Sequence, residues 1–578
     1  MRLNQLAAHL AARLAPGLAL VGAAAAQTVH VDANLTTGAN DGSSWANAFQ
    51  GTDGLQAALG VTVPGDQVFV ADGTYRTNNS GSRALSFRLQ NDVEIYGGFA
   101  GGEASPDERP AFGVAPSILT ADLNGDDGPN FSGNAENSYH VVRTQGTNAS
   151  AVLDGFTITG GNSNGSSGGN ADRGGGILCV GNVNPTIRNC DFVANRCTFG
   201  GGAGYINSSG PDFINCSFRD NVGGAFGGAF DIATGGAVVY DGCWFEGNRA
   251  SRAGALEIFS TGNVSVLNSV FTGNVATGSS GGGALWIGSG GSTRVRNCTI
   301  VGNSSTSQAA GGIRVQGATP TIRNTILWAN TGPGGAQGPF NQVSNGANVR
   351  HCLVEGGFTG TGNISAAPLF VDQAAGNFRL QVPSPGIDAG DNASLLAGFT
   401  EADADGARRR FDEPTVPDTG AGTAPIVDMG AYEASSNIGA VFCAANPNST
   451  GQVGRIDASG SLDLSQNDVT LTASRLPLNA FGFFIASRTR GFALNPGGSA
   501  GNLCLSGSIG RYVGAGQILN TGTAGAFSLT LDLGAIPQPT GSVAAVAGES
   551  WSFQAWHRDT AIFFATSNFT DGVRLTFQ

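Results

Sequence analysis

The sequence predicts an all-β chain: a right-handed parallel β-helix solenoid followed by a small antiparallel β-sandwich domain. Three observations carry that expectation. One cassette recurs about every 27 residues, placing Cys190, Cys216, Cys243, Ser269, Cys298, Thr325 and Cys352 in one register. Three residues before each stands an apolar residue, from Ile187, Phe213 and Tyr240 to Val349. Two residues after stands another, from Phe192, Phe218 and Phe245 to Val354. Each cassette also carries a glycine step, such as Gly174-Gly175-Gly176 or Gly282-Gly283, and ends at an asparagine corner. The runs between these marks are short and rich in Val, Ile, Phe and Thr, with no helical stripe to compete. A fixed period built of short strands and glycine turns means stacked coils. The crossover rule for parallel strands sets the right hand.

Taken in order, residues 1–26 read as a secretory signal. Arg2 and Arg13 precede an apolar stretch, and Ala24-Ala25-Ala26 offers a small-residue cleavage site. Residues 27–150 form the N-terminal cap and first coils. Short β-rich runs such as Thr28–Val31, Gln67–Val70 and Val93–Tyr96 alternate with turns, and one helix is expected near Gly54–Leu59. A cap covers backbone edges that would otherwise invite pairing with another chain.

Residues 151–365 hold the regular repeats. Glycine at the step supplies a positive φ or lets neighbouring coils approach closely. Asn195, Asn221, Asn248, Asn274, Asn303 and Asn330 make one corner column; Asn189, Asn215, Asn268, Asn297 and Asn324 make a second. Both are expected to hydrogen-bond along the stack and satisfy turn amides. The Cys/Ser/Thr register reads as a ladder of small side chains. Its parallel Cβ vectors give poor bridging geometry.

Residues 366–437 are the expected closing segment, serving as a C-terminal cap whose acids form turns. Residues 438–578 carry alternating runs such as Val469–Ala473, Phe527–Leu531 and Trp551–Trp556, which suit an antiparallel sandwich. Cys443 and Cys504 both lie in that module and are the candidate disulfide pair.

Composition narrows the partners. Glycine, at 92 of 578 residues, is about twice its ordinary usage, and no lysine is present. A net charge of −13 argues against nucleic acid or an anionic membrane, both of which demand a basic patch. The one basic run, Arg408–Arg410, is flanked by Asp403, Asp405, Asp412 and Glu413 and reads as a balanced loop. After the signal, no apolar stretch approaches the ~18 residues needed to span a bilayer.

Chemistry is thin. The repeat acids Asp191, Asp220, Glu246 and Glu257 sit singly in different phases, whereas a hydrolase needs facing carboxylates. A lyase needs a base, and with lysine absent the chief candidates are Arg188, Arg219, Arg294, Arg296, Arg314 and Arg323. No histidine pairs as a metal ligand or nucleophile partner, so no catalytic or cofactor-binding residue is assigned. Calcium is the one candidate cofactor. Asp122-x-Asn124-x-Asp126 places oxygen ligands at alternate positions, as a calcium loop begins, although Asp127 stands where such a loop needs Gly. Asp403-x-Asp405-Gly406 is a shorter version.

The glycine steps paired with Phe-x-x-Asn, at Phe192–Asn195, Phe218–Asn221, Phe245–Asn248 and Phe271–Asn274, resemble repeats of chlamydial polymorphic outer-membrane proteins. That resemblance implies a surface-displayed right-handed β-helix used in adhesion. The family's terminal membrane barrel has no counterpart here. Pro368–Asp372, Ser384–Asp391 and Val427–Glu433 resemble the closing segment of bacterial secreted β-helix proteins, and 440–578 is similar to C-terminal modules of planctomycete-type secreted proteins. The expectation is a non-enzymatic exported β-helix at the cell surface or in the extracellular matrix, contacting glycans or proteins. The alternative is a polysaccharide lyase or glycoside hydrolase of the pectate-lyase-like type.

Overall fold

A computed structural model describes residues 26–578, apart from 111, 145, 260, 280, 289–290, 307–309, 336–337, 345, 397–401, 414, 435–436 and 562–563. The expected signal therefore lies outside the described residues except for Ala26. Each coil lays one strand into each of three parallel sheets. Among the described residues these hold 12, 10 and 8 strands. The first sheet runs from Thr28–Asp32 to Asn348–Arg350, the second from Gly73–Arg76 to Leu353–Val354, and the third from Phe87–Leu89 to Ile313–Val315.

The register is the one the repeat implies. Ile187, Phe213, Tyr240, Val266, Val295, Ile322 and Val349 pair in succession along the first sheet. Phe192, Phe218, Phe245, Phe271, Ile300, Leu327 and Val354 do so along the second. Both columns are buried in one continuous core. Stacking like on like puts ring over ring, with centroids 4.8 Å apart for Phe218–Phe245 and 4.4 Å for Phe245–Phe271, at the close end of the separations aromatic pairs favour.

The corner asparagines form an unbroken ladder. Each Oδ1 accepts the backbone amide of the preceding coil's asparagine at 3.0–3.1 Å, from Asn195–Asn221 to Asn303–Asn330. Each Nδ2 from Asn221 to Asn330 donates to the carbonyl of the second sheet's inward residue, one coil back from its own. Gln342 ends the column by accepting from Asn330. The second asparagine column does a different job from the one expected. Asn189, Asn215, Asn268, Asn297 and Asn324 all have φ between 48° and 51°, and His351 has 49°. Asparagine tolerates that left-handed turn better than most residues. Side-chain links along the column are sporadic, such as Asn297 Nδ2 to Asn268 Oδ1 at 3.3 Å.

The thiol and hydroxyl register also has a specific role. Each Cys, Ser or Thr donates to the carbonyl two residues before it: Cys190 to Arg188, Ser269 to Leu267, Cys298 to Arg296 and Thr325 to Arg323, at 2.6–3.2 Å. At the glycine step, close approach decides. A Cβ on Gly202, Gly228, Gly254 or Gly283 would strike the carbonyl oxygen of the next coil's glycine. In the first coils, the helix Gly54–Leu59 buries Leu55, Ala58 and Leu59 against the core.

Residues 366–437 run back along the rod's side and are not stacked across its end. Phe370, Phe378, Leu380, Ile387, Met429 and Tyr432 pack on Val270, Val301, Ile326 and Leu353, the outward residues of the second sheet. Arg409 is wholly buried there and donates to Asn268 Oδ1 and to the carbonyls of Gly430 and Ala431. Arg408 instead pairs with Asp457 at 2.8 Å and Asp571 at 2.5 Å in the C-terminal module. The basic run is thus a fastening between three parts of the chain and more than a balanced loop, because the Arg408 and Arg409 guanidinium groups find fixed acceptors.

The C-terminal module is antiparallel. A sheet built around the hairpin of Ser550–Ala561 and Phe564–Thr576 faces a smaller sheet of Arg455–Ser459, Thr470–Ser474 and Phe527–Thr530. Ile456, Leu471, Phe484, Trp551, Phe553 and Leu575 fill its core. Cys443 and Cys504 are joined as a disulfide, with Cα atoms 6.2 Å apart. Arg490 bonds Asp107 through Nε at 2.9 Å, so the module reaches back to the first coils. Among the described residues no helix is long and apolar enough to cross a membrane.

Candidate functional site

Alternate residues of a strand face outward, so every coil contributes to a column on the third sheet's outer face. In register these are Arg88, Arg143, Leu178, Tyr205, Asp231, Glu257, Trp286 and Arg314. Inter-strand spacing places successive members ~4.8 Å apart. The second sheet's outer face is the one covered by the returning segment, whereas the third carries this polar and aromatic row.

At its middle, charged groups converge. Glu257 Oε1 accepts from Arg252 Nη1 at 2.6 Å, and Asp231 Oδ2 lies 4.0 Å from Arg173 Nη1. Arg173 also donates to the Tyr205 hydroxyl at 3.1 Å. Each guanidinium lies between rings. Arg173 sits 4.2 Å from the Phe199 centroid and 4.9 Å from Tyr205; Arg252 sits 4.5 Å from Phe226 and 4.8 Å from Trp286. The two acids beneath are only 3% and 2% exposed.

Burial pushes the Asp231 carboxyl up to about 7, against the pull of Arg173 and Arg252. Burial, and then the neighbouring Asp231, push Glu257 up to about 8, with Arg252 opposing. Asp231 Oδ2, Glu257 Oε2 and the Trp286 indole nitrogen are buried without hydrogen-bond partners. Two acids that hold protons near neutrality, next to arginines and aromatic platforms, can bind a polar ligand or exchange a proton with one.

Glu257 is therefore not alone in its phase. Asp231 lies one coil before it, 26 residues earlier, and that separation was the signal in the sequence. Among the other repeat acids, Asp191 pairs with Arg219 and Glu246 accepts from the Trp244 indole. At the head of the column, Arg88 joins Gln56, Thr77, Asn78, Ser86 and Gln90 in lining a depression of about 860 Å³. Leu59, Leu85 and Leu89 line it too, so it offers apolar contact beside those polar groups.

The expected calcium positions lie elsewhere. Asp122 accepts the amides of Asn124, Gly125 and Asp126 on Oδ1 and of Asp127 on Oδ2. The carboxylates that converge there are Asp122, Asp127 and Glu136, within 4.8 Å of one another; Asp126 is outside that trio. Burial raises the pKa of Asp127, with the Asn137 amide opposing. Asp403 accepts amides from Asp405, Ala407 and Glu433, while Asp405 is ion-paired with Arg379. A further trio, Asp388, Asp412 and Asp418, also converges, in the segment whose acids the sequence predicts to be turn formers.

A family model described as a right-handed β-helix region matches residues 130–300. Among solved structures, the crystal structure of pectate lyase Pel9A is similar at 16% identity with a TM-score of 0.42, covering 71% of this chain and 97% of that one. No curated protein matches the chain. The class is a right-handed parallel β-helix, with antiparallel sheets in the C-terminal region.

Proposed function

We propose that the protein is a non-enzymatic β-helix that contacts glycans along the outer face of its third sheet, exported to a cell surface or the extracellular matrix. The observation that supports this reading best is the pair of partly exposed arginines, Arg173 and Arg252, stacked among Phe199, Tyr205, Phe226 and Trp286 over two buried acids. What meets solvent is the two cations with the half-buried Phe199 and Phe226, while Tyr205, Trp286 and the carboxylates stay beneath. Aromatic faces pack on sugar C–H groups, and guanidinium forks take carboxylates bidentately. An acidic glycan fits that chemistry better than a neutral one. The Phe-x-x-Asn repeats' resemblance to chlamydial surface proteins and the predicted signal agree with display outside the cell.

The test is affinity electrophoresis or calorimetry of the full chain against polyuronides, sulfated glycans and neutral glucans. Retention by the acidic polymers, lost in R173Q/R252Q with the melting temperature held, supports the reading. Equal retention by the variant ends it.

A second reading has its own observation. Asp231 and Glu257, on adjacent coils with raised pKa values, are the kind of pair that a lyase or hydrolase would use. Release of unsaturated or reducing ends, abolished in D231N or E257Q, would establish that reading in place of the first.

A further inference from the structure

We propose that Asp388, Asp412 and Asp418 form a divalent-cation site of the calcium class in the returning segment. Asp388 is the core of the case. It is 0% exposed and sits at a left-handed φ of 49°. Its amide donates to Asp428 Oδ1 at 2.7 Å, and its carbonyl accepts from Thr419 and Gly420 at 2.9 and 3.0 Å. The backbone is therefore pinned on both sides. Both of its oxygens are buried without a hydrogen bond of normal geometry, the Glu413 amide being the one described donor that bears on them. Buried carboxylates in folded proteins are satisfied by donors, by cations or by metals.

Among the described residues, the charged groups that act most on it are acids. Asp412, Asp418 and Glu413 all repel it, and burial together with them lifts it to about 7; the Glu413 amide draws the other way. Asp428, whose carboxylate holds the Asp388 amide, is a further acid. One oxygen from each of Asp388, Asp412 and Asp418 lies within 4.8 Å of the others. Calcium takes oxygens at 2.3–2.6 Å, so two donors on one ion lie up to about 5 Å apart; magnesium demands a tighter octahedron. The Asp122 trio is not equivalent, because the Asp122 carboxylate already accepts four backbone amides. Asp412 and Asp418 are exposed, which gives the ion its way in. Bound there, it would tie the 411–420 loop to the Ser384–Asp391 turn.

The experiment is calcium titration of the full chain by calorimetry, with magnesium as comparator and thermal melts alongside. The wild-type chain should bind calcium at this site in preference to magnesium and melt several degrees higher with it. D412N/D418N alters two exposed side chains, so folding is retained, which circular dichroism checks. It should lose one equivalent of bound calcium and most of the melting shift, while D122N keeps both. The proposal is overturned if the wild type binds no calcium up to about 10 mM, beyond the range of weak extracellular modules. It is overturned equally if D412N/D418N binds with unchanged stoichiometry and affinity.

Discussion

Position 269 shows how little chemistry a corner needs. Ser269 Oγ donates to the Leu267 carbonyl at 2.6 Å and accepts the Cys243 amide at 3.0 Å. Cysteine and threonine fill the same place in other coils because each puts a donor one bond beyond Cβ. S269C should therefore be nearly neutral, and S269A should lower stability by about 1–3 kcal/mol, the cost of stranding buried partners; urea midpoints of the two variants decide it. Asn248 carries more. Its Oδ1 serves two donors on Asn221, and its Nδ2 reaches Phe218 O and Asn274 Oδ1. N248A should cost at least about 2 kcal/mol, and an unchanged midpoint would refute the ladder's energetic role. The ladder was legible in the sequence because Asn recurs at every corner. The second column's backbone role was less so, since asparagine serves both purposes. Gly242, standing in that column with φ of 64°, was the available signal.

Among the elements, the inward columns of the first and second sheets were readable to the residue, because a fixed period turns sequence spacing directly into register. The outward column of the third sheet was not: its residue type changes from basic to apolar to acidic along the row, and Asp231 and Glu257 are recognised as neighbours only once their strands are aligned. The returning segment was unreadable for another reason. Its partners are carbonyls and outward apolar residues of coils over 100 residues away, as Arg409 to Asn268 and Asn297 shows. The inner register makes a direct prediction. Cys190, Cys298 and Cys352 are buried, and burial pushes their thiols up to about 12. All seven unpaired cysteines are buried. Native protein at pH 8 should expose almost no thiol to a colorimetric reagent; denatured protein without reductant should expose seven. Rapid labelling of the native chain would contradict the packing.

For the whole molecule, buried acids set the pH response. Asp231 and Asp428 are held at about 7, Glu257 at about 8 and Asp403 at about 6, burial being the first cause in each. Their ordinary values are about 4. The folded chain thus keeps protons that the unfolded chain releases. These groups' stabilisation is complete below pH ~4 and is lost as pH rises through 6 to 8, at up to about 1.4 kcal/mol per proton per pH unit. Denaturation midpoints in calcium-free buffer should fall from pH 5 to pH 8, and D231N should flatten part of that slope. A midpoint that climbs across the range would contradict these assignments.

The reach of the C-terminal module to Asp107 changes how the molecule would bear load. Hydrogen bonds between coils run along the rod's axis, so a tug on one end of a bare stack peels it turn by turn. Here the module holds Arg408 of the returning segment through Asp457 and Asp571, and Asp107 of the first coils through Arg490. A pull entering through the last strand is divided between the returning segment and the first coils, and does not fall on one coil alone.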